Sequence, residues 1–213
     1  MLSKKITIID YGCGNILNLA RAIKFLGYEA DITHDKNKII NSSYVILPGV
    51  GAFGNAMKQI EKYNLHNAIL EYAKSNKPLL GICLGMQILL TVSYEFGVHK
   101  GLGLIEGKVI KISNEKNKEI KIPHMGWNEI YPNNNKKEWK NKILKNPSIG
   151  KSFYFVHSFV CITKDYDSTI AVCNYSDISI PAVIATGNVY GCQFHPEKSA
   201  DNGLAVLKNF CET

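Results

Sequence analysis

The chain has 213 residues, of which 46% are hydrophobic and 20% charged; this is the composition of a soluble globular protein, and we predict one domain over residues 1–213. No apolar run reaches the roughly 20 residues that a membrane helix needs. The N-terminus also lacks the apolar segment and cleavage site of a signal peptide, which predicts a cytoplasmic location. The net charge of +7 comes from scattered lysines without an RNA-binding signature. It therefore indicates a solvated surface rather than a nucleic-acid footprint, and leaves an anionic small-molecule substrate or an acidic partner open.

Four short apolar runs in the first half of the chain predict buried strands, and the segments between them show apolar residues at helical spacing. Gly27 ends the first helical segment, as glycine commonly does at a helix C-terminus. Strands alternating with helices favour an open, largely parallel sheet with helices on both faces. The predicted strands cover residues 5–10, 28–33, 44–49 and 78–83, and the predicted helices cover 16–27, 53–74 and 84–92.

The second half is rich in β-forming residues separated by turn residues, which predicts antiparallel strands added to the edge of that sheet. Gly187–Asn188 is typical of a hairpin turn, residues 204–211 show helical spacing, and 132–142 is predicted as a loop. The fold class is therefore α/β, with a mostly parallel central sheet and antiparallel strands in the C-terminal half. The β-rich segments are LIEGKVIKI (104–112), WNEIYP (127–132), SFYFVHSFVCI (152–162), STIAVC (168–173) and AVIATGNVYGCQF (182–194).

The segment GICLGMQ (81–87) places Cys83 between two glycines where a predicted strand passes directly into a predicted helix. G-x-C-x-G in that position is the cysteine version of a nucleophile elbow, whose crowded turn requires glycine at 81 and 85. The positive end of the helix favours the Cys83 thiolate. The Leu84 N–H is expected to point toward a developing oxyanion. A buried cysteine in a tight turn stays open as the structural alternative.

A thiolate nucleophile needs a base, and the base needs an orienting group. In QFHPEKS (193–199) a predicted strand delivers His195 to its C-terminal end, and Pro196 stiffens the turn that follows. Glu197 is placed to hydrogen-bond the imidazole and fix its tautomer. We therefore predict a Cys83, His195 and Glu197 triad, with a structural histidine as the alternative.

The glycine-rich loop LPGVGAFGNA (47–56) follows the strand that precedes the nucleophile's strand. Such a loop can present backbone N–H groups to an oxyanion, and Gly49 and Gly51 would permit the required backbone turn. A loop that merely joins a strand to a helix remains the alternative.

The segment GCGN (12–15) also follows a strand and opens a helix, but Leu17 stands where a dinucleotide fingerprint has its third glycine. No acidic residue ends the second strand, so a Rossmann site is excluded. The six cysteines include neither a CxxC pair nor Cys/His zinc spacing, which predicts free thiols and no metal site.

Taken together, the Cys83 and QFHPEKS motifs resemble those of the class I, triad-type glutamine amidotransferases. Along nearly the whole chain the resemblance extends to the glutaminase-subunit family of imidazole glycerol phosphate synthase. The segments PGVGAF and PHMGWN are specific to that subunit family. The resembling segments are DYGCGNILNL (10–19), PGVGAF (48–53), GLGLIEGKV (101–109), PHMGWN (123–128), YFVHSF (154–159) and QFHPEKS (193–199).

The resemblance implies a flavodoxin-like three-layer sandwich, glutamine hydrolysis through a glutamyl thioester, and a (βα)₈-barrel cyclase partner that receives the ammonia. It implies no cofactor, because the barrel supplies the acceptor substrate. It further implies roles for the following residues: Cys83, His195 and Glu197 as the triad; Gly49, Val50, Gly51 and Leu84 at the oxyanion hole; Gly51, Gln87, Glu95, Ser158 and Phe159 around the glutamine; and Asn15, Asn18, Arg21, Trp127, Tyr154 and Lys198 at the partner face. Residue 159 is Phe where the family usually has Tyr.

Three alternatives remain open. A paralogous glutaminase that supplies ammonia for amidination of a sugar would use the same chemistry in another pathway. A cysteine hydrolase with the same elbow, such as a peptidase or γ-glutamyl hydrolase, would be fully active without a partner. A non-catalytic scaffold would not require Cys, His and Glu together. We also expect the 48–51 loop to hold a backbone carbonyl, rather than an N–H, toward the site until the partner binds.

Overall fold

A computed structural model describes residues 4–113, 120–133, 138–139 and 141–213. The helices in these ranges are α1 (Ile16–Phe25), α2 (Lys36–Asn41), α3 (Phe53–Lys62), α4 (His66–Lys74), α5 (Leu84–Ile88) and α6 (Ala200–Cys211). The strands are β1 (Lys5–Ile9), β2 (Glu29–Thr33), β3 (Tyr44–Leu47), β4 (Leu79–Ile82), β5 (Leu90–Ser93), β6 (His99–Lys100), β7 (Ile105–Lys111), β8 (His124–Pro132), β9 (Ser152–His157), β10 (Phe159–Thr163), β11 (Thr169–Tyr175), β12 (Ile178–Thr186) and β13 (Val189–Cys192). Among these helices, none has the length and apolar character needed to cross a membrane.

A large sheet has the strand order β2-β1-β3-β4-β13-β12-β11-β8-β9. Its first five strands are parallel, and the last four are each antiparallel to the preceding neighbour. The predicted α/β class, mostly parallel with antiparallel additions from the second half, is thus confirmed. The sequence did not reveal that β13 lies inside the sheet beside β4, in parallel. That pairing sets the carboxyl ends of the two strands side by side, where ligands commonly bind in open α/β sheets.

A second sheet, with the order β10-β7-β5-β6, differs from the expectation that all later strands extend one sheet. The segment 152–162, predicted as one strand, is divided at Ser158: β9 pairs with β8 in the large sheet, and β10 pairs with β7 in the small one. Its apolar alternation continues through Ser158, so the pattern alone could not show that the chain changes sheets.

Apolar side chains pack on both faces of the large sheet and form two clusters. One cluster contains buried residues of α1 and α6, including Leu19 and Phe210. The other contains residues of α3 and α4 together with the small sheet, including Ile60, Ile69 and Val109. The sheet is therefore covered on both sides, which agrees with the predicted three-layer sandwich.

The predicted helix over 53–74 is two helices, because Asn64 adopts a left-handed conformation with φ 55°. The Asn64 N–H donates to Glu61 O and the Leu65 N–H donates to Ile60 O, which is the Schellman pattern that ends a helix. The same pattern ends α1 at Gly27, whose φ is +86°, and confirms that boundary. Apolar residues continue across positions 63–65, so the sequence pattern did not show where α3 ends.

The helix predicted over 84–92 is also too long: α5 ends at Ile88, and residues 90–93 form β5 in the small sheet. Leu90 and Val92 are paired with β7, so tertiary pairing outweighs the helical spacing of this apolar run. The hairpin predicted at Gly187–Asn188 joins β12 to β13, with Gly187 at φ +56°. Of the predicted loop 132–142, residues 134–137 and 140 lie outside the described residues.

Candidate active site

Cys83 lies directly between β4 and α5, where the chain turns from strand to helix. Its backbone has φ 54° and ψ −110°, a conformation that is unfavourable for a residue with a side chain and is commonly found at functional sites. Its N–H donates to Cys192 O on β13 over 2.8 Å, which anchors the turn. The side chain is buried beside a cavity, so the geometry is that of the predicted elbow.

The two glycines that flank this turn have no room for a side chain. A Cβ added at Gly85 would lie 1.8 Å from Leu47 O, and one added at Gly81 would lie 2.6 Å from Gly85 O. Each would meet backbone rather than a movable side chain. The requirement for glycine at both positions is therefore confirmed.

His195 follows β13 and lies at the same edge of the sheet as Cys83. Its Nδ1 is 2.8 Å from Glu197 Oε1, and both side chains are almost fully buried. The Ser199 hydroxyl donates to His195 O over 2.7 Å, and the His195 N–H donates to Tyr154 O over 3.0 Å, which holds the turn. Within the described part of the chain, His195 Nε2 and Glu197 Oε2 have no hydrogen-bond partner.

The charges around His195 favour its protonated form. Burial acts to lower the pKa of the imidazole, but the negative charge at Cys83 and Glu197, together with the hydrogen bond to Glu197, outweighs burial and raises that pKa above its usual range. With Nδ1 occupied by the carboxylate, Nε2 is the nitrogen available for proton transfer. The group can hold a proton close to Cys83 and release it to a leaving group.

In the glycine-rich loop, a backbone carbonyl rather than an N–H group lies where an oxyanion hole would need a donor. The Leu84 N–H donates to Gly49 O over 3.3 Å, and the Val50 N–H donates to Cys13 O over 3.3 Å. The backbone donors expected at Leu84 and Val50 are thus engaged within the protein, and a carbonyl occupies the expected position of an anion. Gly51 has φ +99°, so its conformation is one that favours glycine.

A cavity of about 780 Å³ opens beside Cys83 and His195. Buried Gln87 donates from Nε2 to Phe159 O over 3.2 Å and to Gln193 Oε1 over 3.1 Å. The residues predicted around glutamine all line this cavity: Gly51, Gln87, Glu95, Ser158 and Phe159.

Glu95 is a buried carboxylate in the wall of this cavity. One of its oxygens, Oε2, accepts from the Phe53 N–H over 2.5 Å at the first residue of α3. Lys111 contributes a cation elsewhere in the cavity wall. The cavity therefore offers both signs of charge to a zwitterionic ligand.

The residues predicted at a partner face form two groups, one on β8, β9 and the turn after His195, and the other at α1. Trp127 and Tyr154 are cross-strand neighbours whose ring centroids are 6.1 Å apart, and Lys198 Nζ lies 5.8 Å from the Tyr154 ring centroid. The helix α1 carries the others: Asn18 and Arg21 are exposed, and Asn15 directly precedes the helix. Asn15 also lines a small cavity with Val50, His195 and Glu197, so this part of the surface adjoins the His195–Glu197 pair.

Sequence reasoning did not single out Gln193, His157 and His124, which are all buried near the site. His157 lines the cavity, and burial lowers its pKa to about 3. Gln193 donates from Nε2 to Cys83 Sγ over 3.8 Å. Its position two residues before His195, in a segment predicted to be extended, was the available signal, since alternation along an extended segment predicts that residues 193 and 195 share a side; the observed strand β13 ends at Cys192.

The other five cysteines are all buried free thiols. Burial raises the pKa of each one above its usual value, to about 12 for Cys173 and Cys211. They are therefore poor nucleophiles. Across the described residues, no group of three or more His, Cys, Asp or Glu side chains is arranged to hold a metal ion.

Comparison with curated proteins finds close relatives over nearly the whole chain. The imidazole glycerol phosphate synthase subunit HisH 1 of Legionella pneumophila strain Lens is 42% identical over 209 residues, covering 97% of this chain and 98% of the relative. The HisH subunit of Lactococcus lactis is 45% identical over 209 residues, with 98% coverage of each. The HisH subunit of Wolinella succinogenes is 44% identical over 206 residues, covering 96% and 98%.

Solved structures support the fold at lower identity. A Thermotoga maritima PurLQS structure has a TM-score of 0.70 at 21% identity, covering 99% of this chain and 98% of that chain. A putative GMP synthase protein of Thermoplasma acidophilum has a TM-score of 0.68 at 20% identity, covering 99% and 93%. The family model described as glutamine amidotransferase class-I matches residues 7–213. The chain therefore belongs to the class-I glutamine amidotransferase family and, within it, to the group of imidazole glycerol phosphate synthase HisH subunits.

Proposed function

We propose that this chain is the glutaminase subunit of an imidazole glycerol phosphate synthase, which hydrolyses glutamine and passes the ammonia to a cyclase subunit in histidine biosynthesis. The observation that carries the proposal is the meeting of strained Cys83 with the His195–Glu197 pair at the carboxyl ends of neighbouring strands. The HisH names of the relatives support the pathway.

In the proposed reaction the Cys83 thiolate attacks the side-chain amide carbon of glutamine, and a C–S bond forms. His195 donates the proton that it holds to the departing nitrogen, the C–N bond breaks, and ammonia leaves. His195 then takes a proton from water, whose oxygen attacks the thioester. The C–S bond breaks, glutamate leaves and the thiolate returns. Glu197 stabilises the imidazolium and keeps its tautomer throughout.

For substrate binding we assign Gly51 and Gln87 to hold the glutamine, with Glu95 and Ser158–Phe159 beside it. The Glu95 carboxylate suits an α-ammonium group, because opposite charges attract strongly in a partly dry cavity. The Phe159 side chain brings no hydroxyl to this position. Its backbone groups are therefore the polar atoms that it offers to a ligand.

The oxyanion hole is proposed to form only after a change at the 49–51 loop. Gly49 O must leave the Leu84 N–H before that donor, together with a donor from Val50, can stabilise the tetrahedral intermediate. We propose that binding of the partner over Asn15 and Val50 promotes this change. The resting arrangement would then restrain glutamine hydrolysis until an acceptor is ready.

The partner is proposed to be a (βα)₈-barrel cyclase that docks on Asn15, Asn18, Arg21, Trp127, Tyr154 and Lys198. Residues 1–213 are proposed to act as one domain without a cofactor of their own. We also propose a cytoplasmic location, which cell fractionation would test.

The decisive experiment compares glutamate release by the chain alone and with the cyclase partner and its ligand. We expect low turnover alone and a strong rise in the complex, because the oxyanion donors are engaged in the resting chain. Equal turnover in both conditions would contradict the proposal and favour an autonomous hydrolase.

Replacing the nucleophile tests the chemistry separately from assembly. Cys83→Ala is expected to abolish glutamine hydrolysis while the complex still forms and still uses added ammonia. Retained glutaminase activity would rule out the thioester. Growth of a histidine auxotroph that lacks this subunit, restored by the wild-type chain, separates the histidine pathway from the sugar-amidination alternative.

A further inference from the structure

Gln193 lies next to the nucleophile, between the end of β13 and His195. Its side chain is fully buried, and its Nε2 donates to Cys83 Sγ over 3.8 Å. We propose that Gln193 is a further catalytic residue, which holds the Cys83 sulfur in place and stabilises its thiolate through an amide N–H. The inference rests on the proposed function only in taking Cys83 as the nucleophile.

A backbone carbonyl determines which end of the Gln193 amide faces the sulfur. Phe159 O can only accept, so the Gln87 group 3.2 Å away must be its NH₂. The same NH₂ donates to Gln193 over 3.1 Å, so the Gln193 atom facing it must be the oxygen. The remaining end of the Gln193 amide, its NH₂, therefore faces Cys83. The donor role follows from the order of the contacts, because the reversed amide would set NH₂ against NH₂.

A second chain of contacts, through His157 and His124, also ends at Phe159 O and fixes the position of this carbonyl. His157 Nδ1 lies 2.9 Å from Phe159 O and must donate to it. Since burial lowers the pKa of His157 to about 3, its other nitrogen, Nε2, is unprotonated and accepts. His124 Nδ1, 2.9 Å from that nitrogen, therefore donates, and His124 Nε2, unprotonated in the neutral ring, faces the Asn128 side-chain amide over 2.8 Å. The carbonyl accepts from both series, so both help to fix the orientation of Gln87 and, through it, that of Gln193.

The surroundings of Cys83 explain why a donor is needed there. Val156 O lies 4.0 Å from Sγ and accepts from the protonated thiol, so it opposes ionisation. The ionisable groups that interact with the sulfur are Tyr11, Cys161, Cys192 and His195, with Glu197 behind His195. Of these, His195 alone can carry positive charge. A Gln193 N–H supplies a second stabilising contact that does not depend on pH and does not compete for the proton of His195.

The test replaces the donor with a side chain of similar length, Gln193→Met, and measures alkylation of Cys83 by iodoacetamide across pH. The reagent needs only the thiolate, whose sulfur displaces iodide from carbon, so glutamine binding is not involved. We expect the rate at pH 7 to fall about tenfold and the inflection to move to higher pH, as loss of a charge-assisted hydrogen bond requires. In the complex, kcat for glutamine should fall while KM changes little.

Two controls separate this effect from damage to the fold. Gln59→Met makes the same replacement on α3, away from Cys83, and should leave the alkylation profile unchanged. Peptide mapping of the buried Cys161, Cys173 and Cys211 reports opening of the core, because these thiols react only if the structure loosens.

A second variant tests how the Gln193 amide is oriented, and it replaces the first variant if Gln193→Met does not fold. Gln87→Met removes the group that sets the Gln193 amide, so we expect the same change in the alkylation profile at smaller size. An unchanged profile in folded Gln193→Met, or in folded Gln87→Met if the former does not fold, would overturn the proposal. Failure of the proposed function itself would be seen separately, as glutamine hydrolysis that persists in Cys83→Ala.

Discussion

His195 and His157 are both buried and both line the cavity beside Cys83, yet their surroundings shift their pKa values in opposite directions. His195 has a carboxylate 2.8 Å from one nitrogen and the Cys83 sulfur nearby, so its pKa is raised despite burial. His157 lies between a backbone carbonyl and another histidine, and burial lowers its pKa to about 3. The two imidazoles thus differ in pKa because their hydrogen-bond partners and neighbouring charges differ.

The comparison separates a chemical role from a supporting one. A histidine that retains a proton can deliver it to departing ammonia, whereas a histidine held neutral can orient a carbonyl without adding charge near the thiolate. A second positive charge at His157 would change how the proton is distributed between His195 and Cys83.

Glu197→Gln removes the carboxylate that distinguishes His195 from His157. We expect the glutaminase rate in the complex to fall roughly a hundred- to ten-thousandfold, because the imidazolium loses its stabilising charge and its fixed tautomer. Glutamate release measures the change, and ammonia-dependent synthesis by the same complex controls for assembly. A rate within twofold of wild type would show that Glu197 does not orient the base.

His157→Leu should chiefly affect stability. It leaves His124 Nδ1–H without its buried acceptor, which costs roughly 1–3 kcal/mol in the free energy of unfolding. Urea unfolding measures that cost. The double variant His124→Leu/His157→Leu should lose less than the two single variants together, because no unpaired donor remains. Strict additivity would contradict the direct contact.

The pH dependence of stability should also differ in sign between the two histidines. A raised pKa in the folded state means that the contribution of His195 is full below about pH 6.5 and is lost as pH rises toward the raised value. The lowered pKa of His157 means that its contribution is full above about pH 6.5 and is lost as pH falls toward 3.

Unfolding free energies at pH 5, 6.5 and 8 check this difference. Relative to wild type, His157→Leu should regain stability on acidification, by at most about 1.4 kcal/mol per pH unit below 6.5. Glu197→Gln should differ most from wild type at pH 5 and least at pH 8. If the unfolding free energies of the two variants changed with pH in the same way, His195 and His157 would not differ as proposed.

Much of the candidate site could be predicted from local sequence, because its physical requirements are local. Glycine at 81 and 85 follows from the crowding of one turn, and the HPE order places Glu197 within reach of the His195 imidazole. The strand–helix alternation likewise predicted a parallel sheet. The errors occurred where apolar spacing continued through a boundary: at Asn64, and at the entry to β5 near Leu90.

The tertiary structure decided how distant segments combine. It set β13 beside β4, so that His195 meets Cys83, and it divided one apolar segment at Ser158 between two sheets. It also placed Phe159 O where the amide of Gln87 and the ring of His157 converge, and directed the Leu84 N–H to Gly49 O. A side chain's charge, tautomer and donor direction depend on burial and on partners from other strands, which residue order along one segment does not contain.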